Sequence, residues 1–268
     1  MSLIEKLKRK DLLVFDLDGT IIPTKSPMDR EMSRLFTRLL EVKKVAIIGG
    51  GKYGVFKELF VHRLKCDKKL LKNLFLFPNT STIFYKYNHG WKKIYFLSLT
   101  VDEIKRTKKA FNDVFKKIGY EHPKKTYGVL IENRGSQVAF SVYGQDLVKI
   151  LGKRGVKMKE EWKRKNTKIK MKIARLAAKK IPDLEVRAAG YTTIDVTKKG
   201  IDKAYGMHQI EKHLKIPINK MFFFGDGIFP GGNDYAIVRT GVDYKAVKDP
   251  EETKKIIREI LLFYKLKT

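Results

Sequence analysis

The chain has 268 residues, of which 43% are hydrophobic, so it can bury one large core or two modest ones and is not a disordered protein. Lys and Arg number 58 against 29 Asp and Glu, and the formal charge of +29 favours anionic partners such as phosphorylated metabolites or nucleic acid. One cysteine, Cys66, excludes an intramolecular disulfide and favours a cytoplasmic location, and the pattern predicts neither a signal peptide nor a membrane span.

The first part of the chain alternates strands and helices. Strands are predicted at 12–16 and in "KVAII" and "NLFLFP", and helices in "MDREMSRLFTRLLEV" and "YGVFKELFVHRL". Successive strand–helix–strand units indicate a parallel sheet with crossover helices.

The middle of the chain has a different pattern. A strand-like "WKKIYFLSLT" precedes an amphipathic helix that ends at Gly119, and a tight turn at Asn133–Gly135 predicts a hairpin. A long basic helix follows at about 158–180, and then two strands around Gly190. This pattern predicts an α+β insert with an antiparallel sheet.

The first pattern returns with the helix "GIDKAYGMHQIEKHL", the strand "KMFFFG", a short helix in "YAIVRTG" and a C-terminal helix that begins at Pro250. The sequence therefore predicts an α/β protein. Its Rossmann-like parallel-sheet core comprises 1–82 and 194–268, and an α+β domain containing an antiparallel sheet occupies 83–193.

Two carboxylates follow the first strand in "VFDLDGT". Asp16 and Asp18 are costly at the end of a buried strand unless something compensates their charge. The carboxyl edge of an open parallel sheet faces the ligand crevice, and a divalent cation such as Mg²⁺ is a natural partner for oxygen ligands there.

These residues resemble the D-x-D-G-T signature of the haloacid dehalogenase (HAD) superfamily of phosphotransferases. "GIDKAYGM" looks like the lysine motif of that superfamily and "FFFGDGIFPGGNDYAI" like its acidic metal motif, so the resemblance covers essentially the whole chain. A large α/β cap between the second and third motifs is typical of the subgroup that contains Cof-type sugar phosphatases and eukaryotic-type phosphomannomutases.

The resemblance implies a mechanism through an aspartyl-phosphate. Asp16 would be the nucleophile, Asp18 the acid and base, and Lys203 the cation that neutralises both the nucleophile and the transferring phosphate. Mg²⁺ would be held by Asp16, the backbone carbonyl of Asp18 and Asp226. Asn233 and Asp234 would orient the metal's outer contacts and the phosphate.

The resemblance also implies a substrate site in the cap. Arg134 aligns with the first arginine that holds the distal phosphate of the sugar in phosphomannomutases, but Gln145 stands at the second. Glutamine lacks the forked pair of donors of arginine, so this arginine clamp on the distal phosphate is reduced. This difference favours a sugar-phosphate phosphatase and leaves phosphomannomutase activity as the alternative.

Three further positions match substrate contacts of the same family. Lys25 aligns with a core arginine, and Thr193 and Asp195 align with a cap serine and aspartate. The expected partner is a small sugar phosphate, and the resemblance also implies dimerisation through the cap.

The glycines of "VAIIGGGKYGVF" raise a separate hypothesis, because G-x-G-x-x-G is the dinucleotide-binding fingerprint. That fingerprint belongs to the first strand, which Asp16 and Asp18 occupy here, so binding of NAD is disfavoured. In the HAD frame this loop is the second motif, where a Ser or Thr normally binds the transferring phosphate. The sequence supplies glycines instead, and backbone N–H groups at Gly50 and Gly51, helped by Lys52, are predicted to bind the phosphate.

The basic helix suggests a function of another class. Between Lys153 and Lys180 there are 13 Lys or Arg and 2 acids, which is compatible with binding of a nucleic acid backbone by a HAD scaffold. No aromatic residues alternate with these charges to stack on bases, so a solvated helix face is the favoured interpretation.

Overall fold

A computed structural model of the chain describes residues 2–265. Its strands are β1 (Leu12–Asp16), β2 (Lys44–Ile48), β3 (Leu74–Phe77), β4 (Ile83–Tyr87), β5 (Trp91–Phe96), β6 (Ile131–Asn133), β7 (Val138–Ser141), β8 (Leu184–Ala189), β9 (Thr193–Lys198), β10 (Met221–Gly225) and β11 (Asp243–Ala246). Its helices are α1 (Leu3–Lys8), α2 (Arg30–Val42), α3 (Tyr53–Leu59), the single turn α4 (Pro78–Ser81), α5 (Val101–Ile118), α6 (Leu147–Leu151), α7 (Lys153–Lys180), α8 (Lys203–Leu214) and α9 (Pro250–Lys265). Short 3-10 turns include Tyr235–Thr240, where the sequence predicts a short helix.

The contacts divide the chain into two units. The core unit contains the residues up to Tyr95 and those from Asp202 onward, and the insert runs from Phe96 to Ile201. The sequence places these boundaries at 83 and 193. The difference at the first boundary arises because β4 and β5 extend the core sheet, and at the second because β9 belongs to the sheet of the insert.

The core is built on a seven-stranded sheet in the order β11-β10-β1-β2-β3-β4-β5. The strands from β11 to β3 are parallel, as the sequence predicts, and β4 turns back antiparallel to β3. Every residue of β1 is buried, which explains why this strand reads as a continuous apolar run rather than an alternating one. One apolar cluster covers one face with α2 and α9, and a second covers the other face with α8.

The insert has a four-stranded antiparallel sheet in the order β6-β7-β9-β8. Along β9, Ile194 and Val196 pack in the apolar cluster formed with α5 and α7. Because side chains alternate along a strand, Thr193 and Asp195 lie on the opposite, polar face of the sheet. The predicted hairpin is present, and its turn is fixed by a hydrogen bond from Gly135 N–H to Asn133 Oδ1 at 2.9 Å.

Helix α7 begins five residues before the start that the sequence predicts. Gly155 in its first turn is a weak helix former, which hides the true start in the sequence pattern. The turn forms because this residue has no side chain: a Cβ at Gly155 would lie 2.8 Å from the carbonyl oxygen of Leu147. Tight packing against α6 therefore outweighs local propensity.

Candidate active site

The carboxyl ends of two neighbouring strands bring the acidic residues together. Asp16 is the last residue of β1, and Asp226 follows the last residue of β10. These strands pair in parallel with Phe15 opposite Phe224, so both chain segments leave the sheet at the same edge. The rings of that pair stack with centroids 4.7 Å apart and fix the alignment.

Lys203 joins two of the carboxylates. Its ammonium group donates to Asp16 Oδ1 and to Asp234 Oδ1, and the exposed fraction of each of the three side chains is 4% or less. Helix α8 presents Lys203 as its first residue because the preceding Asp202 caps the helix, accepting a hydrogen bond from Tyr205 N–H at 2.9 Å.

Burial and charge act on this cluster in opposite directions. Burial raises the pKa of Asp16 well above its ordinary value, against the attraction of Lys203. For Lys203, burial favours the neutral amine, but the charges of Asp16 and Asp234 outweigh it and raise the pKa. Lys203 is therefore a permanent cation in the site.

Two glycines allow the carboxylates to approach this closely. A Cβ at Gly19, whose φ is +89°, would lie 2.5 Å from Asp226 Oδ2. A Cβ at Gly225 would lie 2.3 Å from Asp234 Oδ2. The glycines of "DGT" and "FGD" are thus needed to leave room for the acidic side chains.

The acidic residues form a group that fits a metal ion. One carboxylate oxygen from each of Asp16, Asp226 and Asp234 lies within 4.8 Å of the others. Asp16 Oδ2 is buried and finds no hydrogen-bond partner in the described part of the chain. Three carboxylates against the one ammonium of Lys203 leave excess negative charge, and oxygen ligands suit a hard divalent cation.

Asp18 lies beside this group, but its carboxylate is not part of it. Its Oδ1 accepts a hydrogen bond from the backbone N–H of Lys25 at 2.5 Å. Lys25 adopts a left-handed conformation, with φ of 50°, and the contact orients the Asp18 carboxylate. The structure therefore brings Lys25 to the active-site edge through its backbone.

The loop after β10 closes on itself around Asp234. Gly227 N–H donates to Asp234 Oδ2 at 2.9 Å, and Asp234 N–H donates to the carbonyl oxygen of Gly227 at 3.2 Å. Asn233 lies against the same glycine, where a Cβ would be 2.2 Å from its Oδ1. Asn233 and Asp234 are thus both held at this edge of the sheet.

The glycine loop follows β2 at the same edge. Gly49 N–H donates to the carbonyl oxygen of Phe77 at 3.3 Å and continues the sheet. Gly50 and Gly51 are partly exposed, and Lys52 is the exposed N-cap of α3. Binding of phosphate by this loop stays a prediction.

In the insert, Arg134 makes contacts with all three of its guanidinium nitrogen atoms. Nε donates to Glu132 at 2.7 Å, and the terminal nitrogens donate to Gln137 at 3.1 Å and Gln145 at 3.0 Å. Arg134 and Gln145, which the sequence aligns with neighbouring clamp positions, are thus in direct contact. The side chains of Arg134 and Glu132 are only 8% and 16% exposed, so this positive charge is neutralised locally.

Thr193 and Asp195 are both buried on the polar face of the insert sheet. Asp195 pairs with Ala139 of β7 and Arg187 of β8 in the sheet register. Arg187 therefore shares a face with the predicted substrate residues, a position that was not predicted from the sequence. The alternation in "LEVRAAGYTTIDV" indicates which residues share a face within each strand. It does not give the alignment of the two strands that places Arg187 beside Asp195.

Two residues of the core, Thr20 and Asp202, also support the site and were not predicted from the sequence. Thr20 Oγ1 accepts a hydrogen bond from Asp226 N–H at 3.0 Å and so ties the first acidic loop to the last. Asp202 holds the start of α8. Its position directly before a helix was a readable capping signal, whereas the contact of Thr20 joins segments that are distant in sequence.

The fold and the acidic edge define a phosphotransferase of the HAD superfamily. The solved structures with this fold include IMP-nucleotidase of Plasmodium falciparum, with TM-score 0.69, 18% identity, and coverage of 97% of this chain and 71% of that one. Trehalose-6-phosphate phosphatase of Aspergillus fumigatus gives TM-score 0.56, 15% identity, and coverage of 97% and 96%.

A family model described as eukaryotic phosphomannomutase matches residues 32–263, and the chain belongs to that family. Among its relatives, a phosphomannomutase of Drosophila melanogaster is 28% identical over 95% of this chain and 97% of its own. One of Saccharomyces cerevisiae is 24% identical over 97% and 99%. None of the described helices is long and apolar enough to cross a membrane.

Proposed function

We propose that this protein is a Mg²⁺-dependent phosphatase of small sugar phosphates that acts through an aspartyl-phosphate intermediate. The core unit would carry the chemistry, and the insert would select the substrate. The observation that supports phosphoryl transfer is the buried contact of Lys203 with Asp16 and Asp234, beside Asp226. A fixed cation between carboxylates suits a reaction that requires charge neutralisation and positioning.

Asp16 is the proposed nucleophile. Lys203 binds Asp16 Oδ1. A carboxylate oxygen of Asp16 attacks phosphorus, forming the bond from Asp16 to phosphorus as the bond to the leaving oxygen breaks. Asp18 donates a proton to the leaving oxygen and then accepts one from the attacking water. Water releases orthophosphate and regenerates Asp16.

Asp16, Asp226 and Asp234, with the backbone carbonyl of Asp18, are the residues that would hold Mg²⁺. When bound, Mg²⁺ supplies positive charge that offsets the carboxylates and the phosphate oxygens. Thr20 and the glycines Gly19 and Gly225 position these ligands.

The contacts of Arg134 favour hydrolysis over mutase activity. A mutase must bind a bisphosphate in two orientations and needs a strong second phosphate site. Here Glu132 neutralises Arg134, and each terminal nitrogen of its guanidinium group donates to a glutamine, Gln137 or Gln145. A site of this composition suits sugar hydroxyl groups better than a second phosphate.

Phosphomannomutase activity is the second candidate. The relatives named phosphomannomutase match this chain over nearly its full length. The family resemblance in the sequence also assigns Arg134, Thr193 and Asp195 to substrate positions. The proposed setting for either activity is the cytoplasm, and a dimer formed through the insert is proposed from the same resemblance.

The test is incubation of the protein with Mg²⁺ and a panel of sugar phosphates, including mannose 1-phosphate with a bisphosphate activator. Net release of orthophosphate is the expected result, and it should fall by at least about a thousandfold in Asp16→Asn because the nucleophile is lost. Conversion of mannose 1-phosphate to the 6-phosphate without net release would establish the mutase instead. Full activity of Asp16→Asn would contradict both candidates.

A further inference from the structure

The loop at Gly49–Gly51 has no hydroxyl group at the point where relatives in the superfamily bind the transferring phosphate. The next strand ends beside this loop, because β2 and β3 pair with Ile48 opposite Phe77. The turn α4 follows β3 directly and carries Asn79, Thr80 and Ser81. Three polar side chains thus stand next to a loop that has none.

This turn has an unusual backbone. Asn79, Thr80 and Ser81 have φ angles of 50°, 56° and 67°, so three consecutive residues with side chains are left-handed. Such residues are strained and persist where the surrounding contacts fix them, often at functional sites. Here Asn79 N–H donates to Gly51 O and Thr80 N–H to Gly49 O, both at 2.9 Å, so the turn is bonded to the glycine loop itself.

Ser81 carries a hydroxyl group that the fold does not use. The residue is fully buried, and its Oγ finds no hydrogen-bond partner among the residues that the structure describes. A buried hydroxyl without a partner is unfavourable, and it points to a ligand that completes it.

The Ser81 hydroxyl group lies beside α8, the helix that carries Lys203. A Cβ at Gly206 would lie 2.2 Å from Ser81 Oγ and 3.3 Å from Ile48 Cδ1, so the hydroxyl group lies between α8 and the end of β2. Gly206 is three residues after Lys203 and shares its face of α8. That face therefore carries the ammonium group bound to Asp16 and also contacts Ser81.

We propose that Ser81 Oγ donates a hydrogen bond to the phosphate of the substrate and replaces the hydroxyl group missing from Gly49–Gly51. The ligand is a phosphoryl oxygen of a phosphate monoester or of orthophosphate. The inference rests on the proposed function for the reaction, but its binding part concerns orthophosphate alone.

The test is Ser81→Gly, because the strained backbone and the proposed phosphate contact of Ser81 predict opposite effects, on stability and on binding. Glycine relieves the left-handed strain, so the melting temperature should rise or stay unchanged. Loss of one hydrogen bond to a charged oxygen should weaken orthophosphate binding by about tenfold to a hundredfold, and kcat/KM should fall by a similar factor. Thr80→Val removes a hydroxyl group from the same turn and is the matched control, with binding expected to match wild type.

Gly51→Ser in the Ser81→Gly background provides the rescue. The new Cβ would lie 3.3 Å from Val55 Cγ1, a side-chain atom that can shift, and its hydroxyl group would return to the loop. Recovery of orthophosphate affinity supports the proposal. Wild-type affinity in Ser81→Gly overturns it, as does a loss in Thr80→Val equal to that in Ser81→Gly.

The proposed function is judged separately by the wild-type protein. One outcome is that the wild-type protein releases no phosphate from any sugar phosphate, while Ser81→Gly binds orthophosphate less tightly than wild type does. That outcome would contradict the proposed reaction and support the phosphate site at Ser81. If wild type were an active phosphatase with kinetics unchanged by Ser81→Gly, the assignment of Ser81 would fail and the reaction would stand.

Discussion

At the scale of single residues, the site depends on Lys203. Its side chain is 4% exposed and contacts two buried carboxylates, Asp16 and Asp234. Removing one partner from a buried charge group leaves the others uncompensated, which costs about 3–5 kcal/mol in typical cases. The same ammonium group is proposed to neutralise charge during phosphoryl transfer, so stability and catalysis depend on one atom.

We therefore predict that Lys203→Met lowers kcat by at least about a hundredfold, the loss typical of removing one fixed electrostatic partner. It should also lower the free energy of unfolding by about 3 kcal/mol, measured by urea titration. Lys212→Met, on an exposed position of the same helix, is the control. It should leave kcat unchanged and change the free energy of unfolding by no more than about 0.5 kcal/mol. A Lys203→Met protein with wild-type kcat would contradict the role of this cation.

At the scale of elements, helix ends show how local sequence determines structure. Thr100 and Glu103 form a capping box at the start of α5, and Gly119 ends the helix with φ of 62°. The sequence prediction that α5 ends at Gly119 is confirmed. Gly54 differs because it lies within α3, where a Cβ would meet no atom within 4 Å.

Alanine at these two glycines should have opposite effects on stability. Gly119→Ala should lower the free energy of unfolding by about 1 kcal/mol, because alanine is strained in the left-handed conformation. Gly54→Ala should raise it by about 0.5 kcal/mol, because alanine favours the helix. Chemical denaturation of both variants beside wild type measures the difference, and equal shifts would refute this account of the helix end.

Lys170 connects α7 to the hairpin between β8 and β9. Its ammonium group donates to the carbonyl oxygen of Gly190 at 2.7 Å and to that of Ala189 at 3.3 Å. Burial lowers the pKa of Lys170 to about 8, with help from the charge of Lys163 and against the charge of Asp195. The ordinary lysine pKa is about 10.4. Between about pH 8 and pH 10, Lys170 is therefore mostly protonated in the unfolded chain and mostly neutral in the folded chain.

Stability contributed by Lys170 should therefore rise with pH in that window. We expect the free energy of unfolding of wild type, relative to that of Lys170→Met, to increase by about 1–2 kcal/mol between pH 8 and pH 10. Urea titrations of both proteins at both pH values give this difference. The contributions of other titrating groups cancel because the two proteins share them. A difference that stays constant or falls would show that the Lys170 pKa is not lowered.

At the scale of the whole molecule, metal binding should be linked to folding. The carboxylates of Asp16, Asp226 and Asp234 meet only when distant parts of the chain form one sheet edge. A metal ion that binds only the folded state stabilises it by about 2.7 kcal/mol at a concentration 100 times its Kd.

Mg²⁺ should accordingly raise the melting temperature of wild type but not that of Asp226→Asn. Without Mg²⁺, Asp226→Asn should melt at the same or a higher temperature than wild type, because one of three mutually repelling carboxylates is gone. Thermal unfolding with and without Mg²⁺ tests both statements independently of activity. An equal Mg²⁺ shift in both proteins would remove Asp226 from the metal site.

Much of the fold could be read from the sequence, because the information is local. The buried strand that ends at Asp16, the cap at Gly119 and the turn at Asn133–Gly135 depend on residues close in sequence. The start of α7 could not be read, because packing of Gly155 against α6 outweighs its weak helix propensity. The predicted boundaries of the insert differ from those of the structure for a similar reason. The sheet to which a strand belongs depends on its pairing with other strands.

The same division applies to the candidate site. The sequence by itself determined the residue types and their strand-end positions, because "DLDGT", "GIDK" and "GDG" specify carboxylates, a lysine and glycines in fixed local geometry. Only the tertiary structure decided that Lys203 joins Asp16 to Asp234, that Glu132 neutralises Arg134 and that Ser81 lies beside the glycine loop. These contacts depend on strand order and register, which arise from burial across the whole chain and not from any single segment.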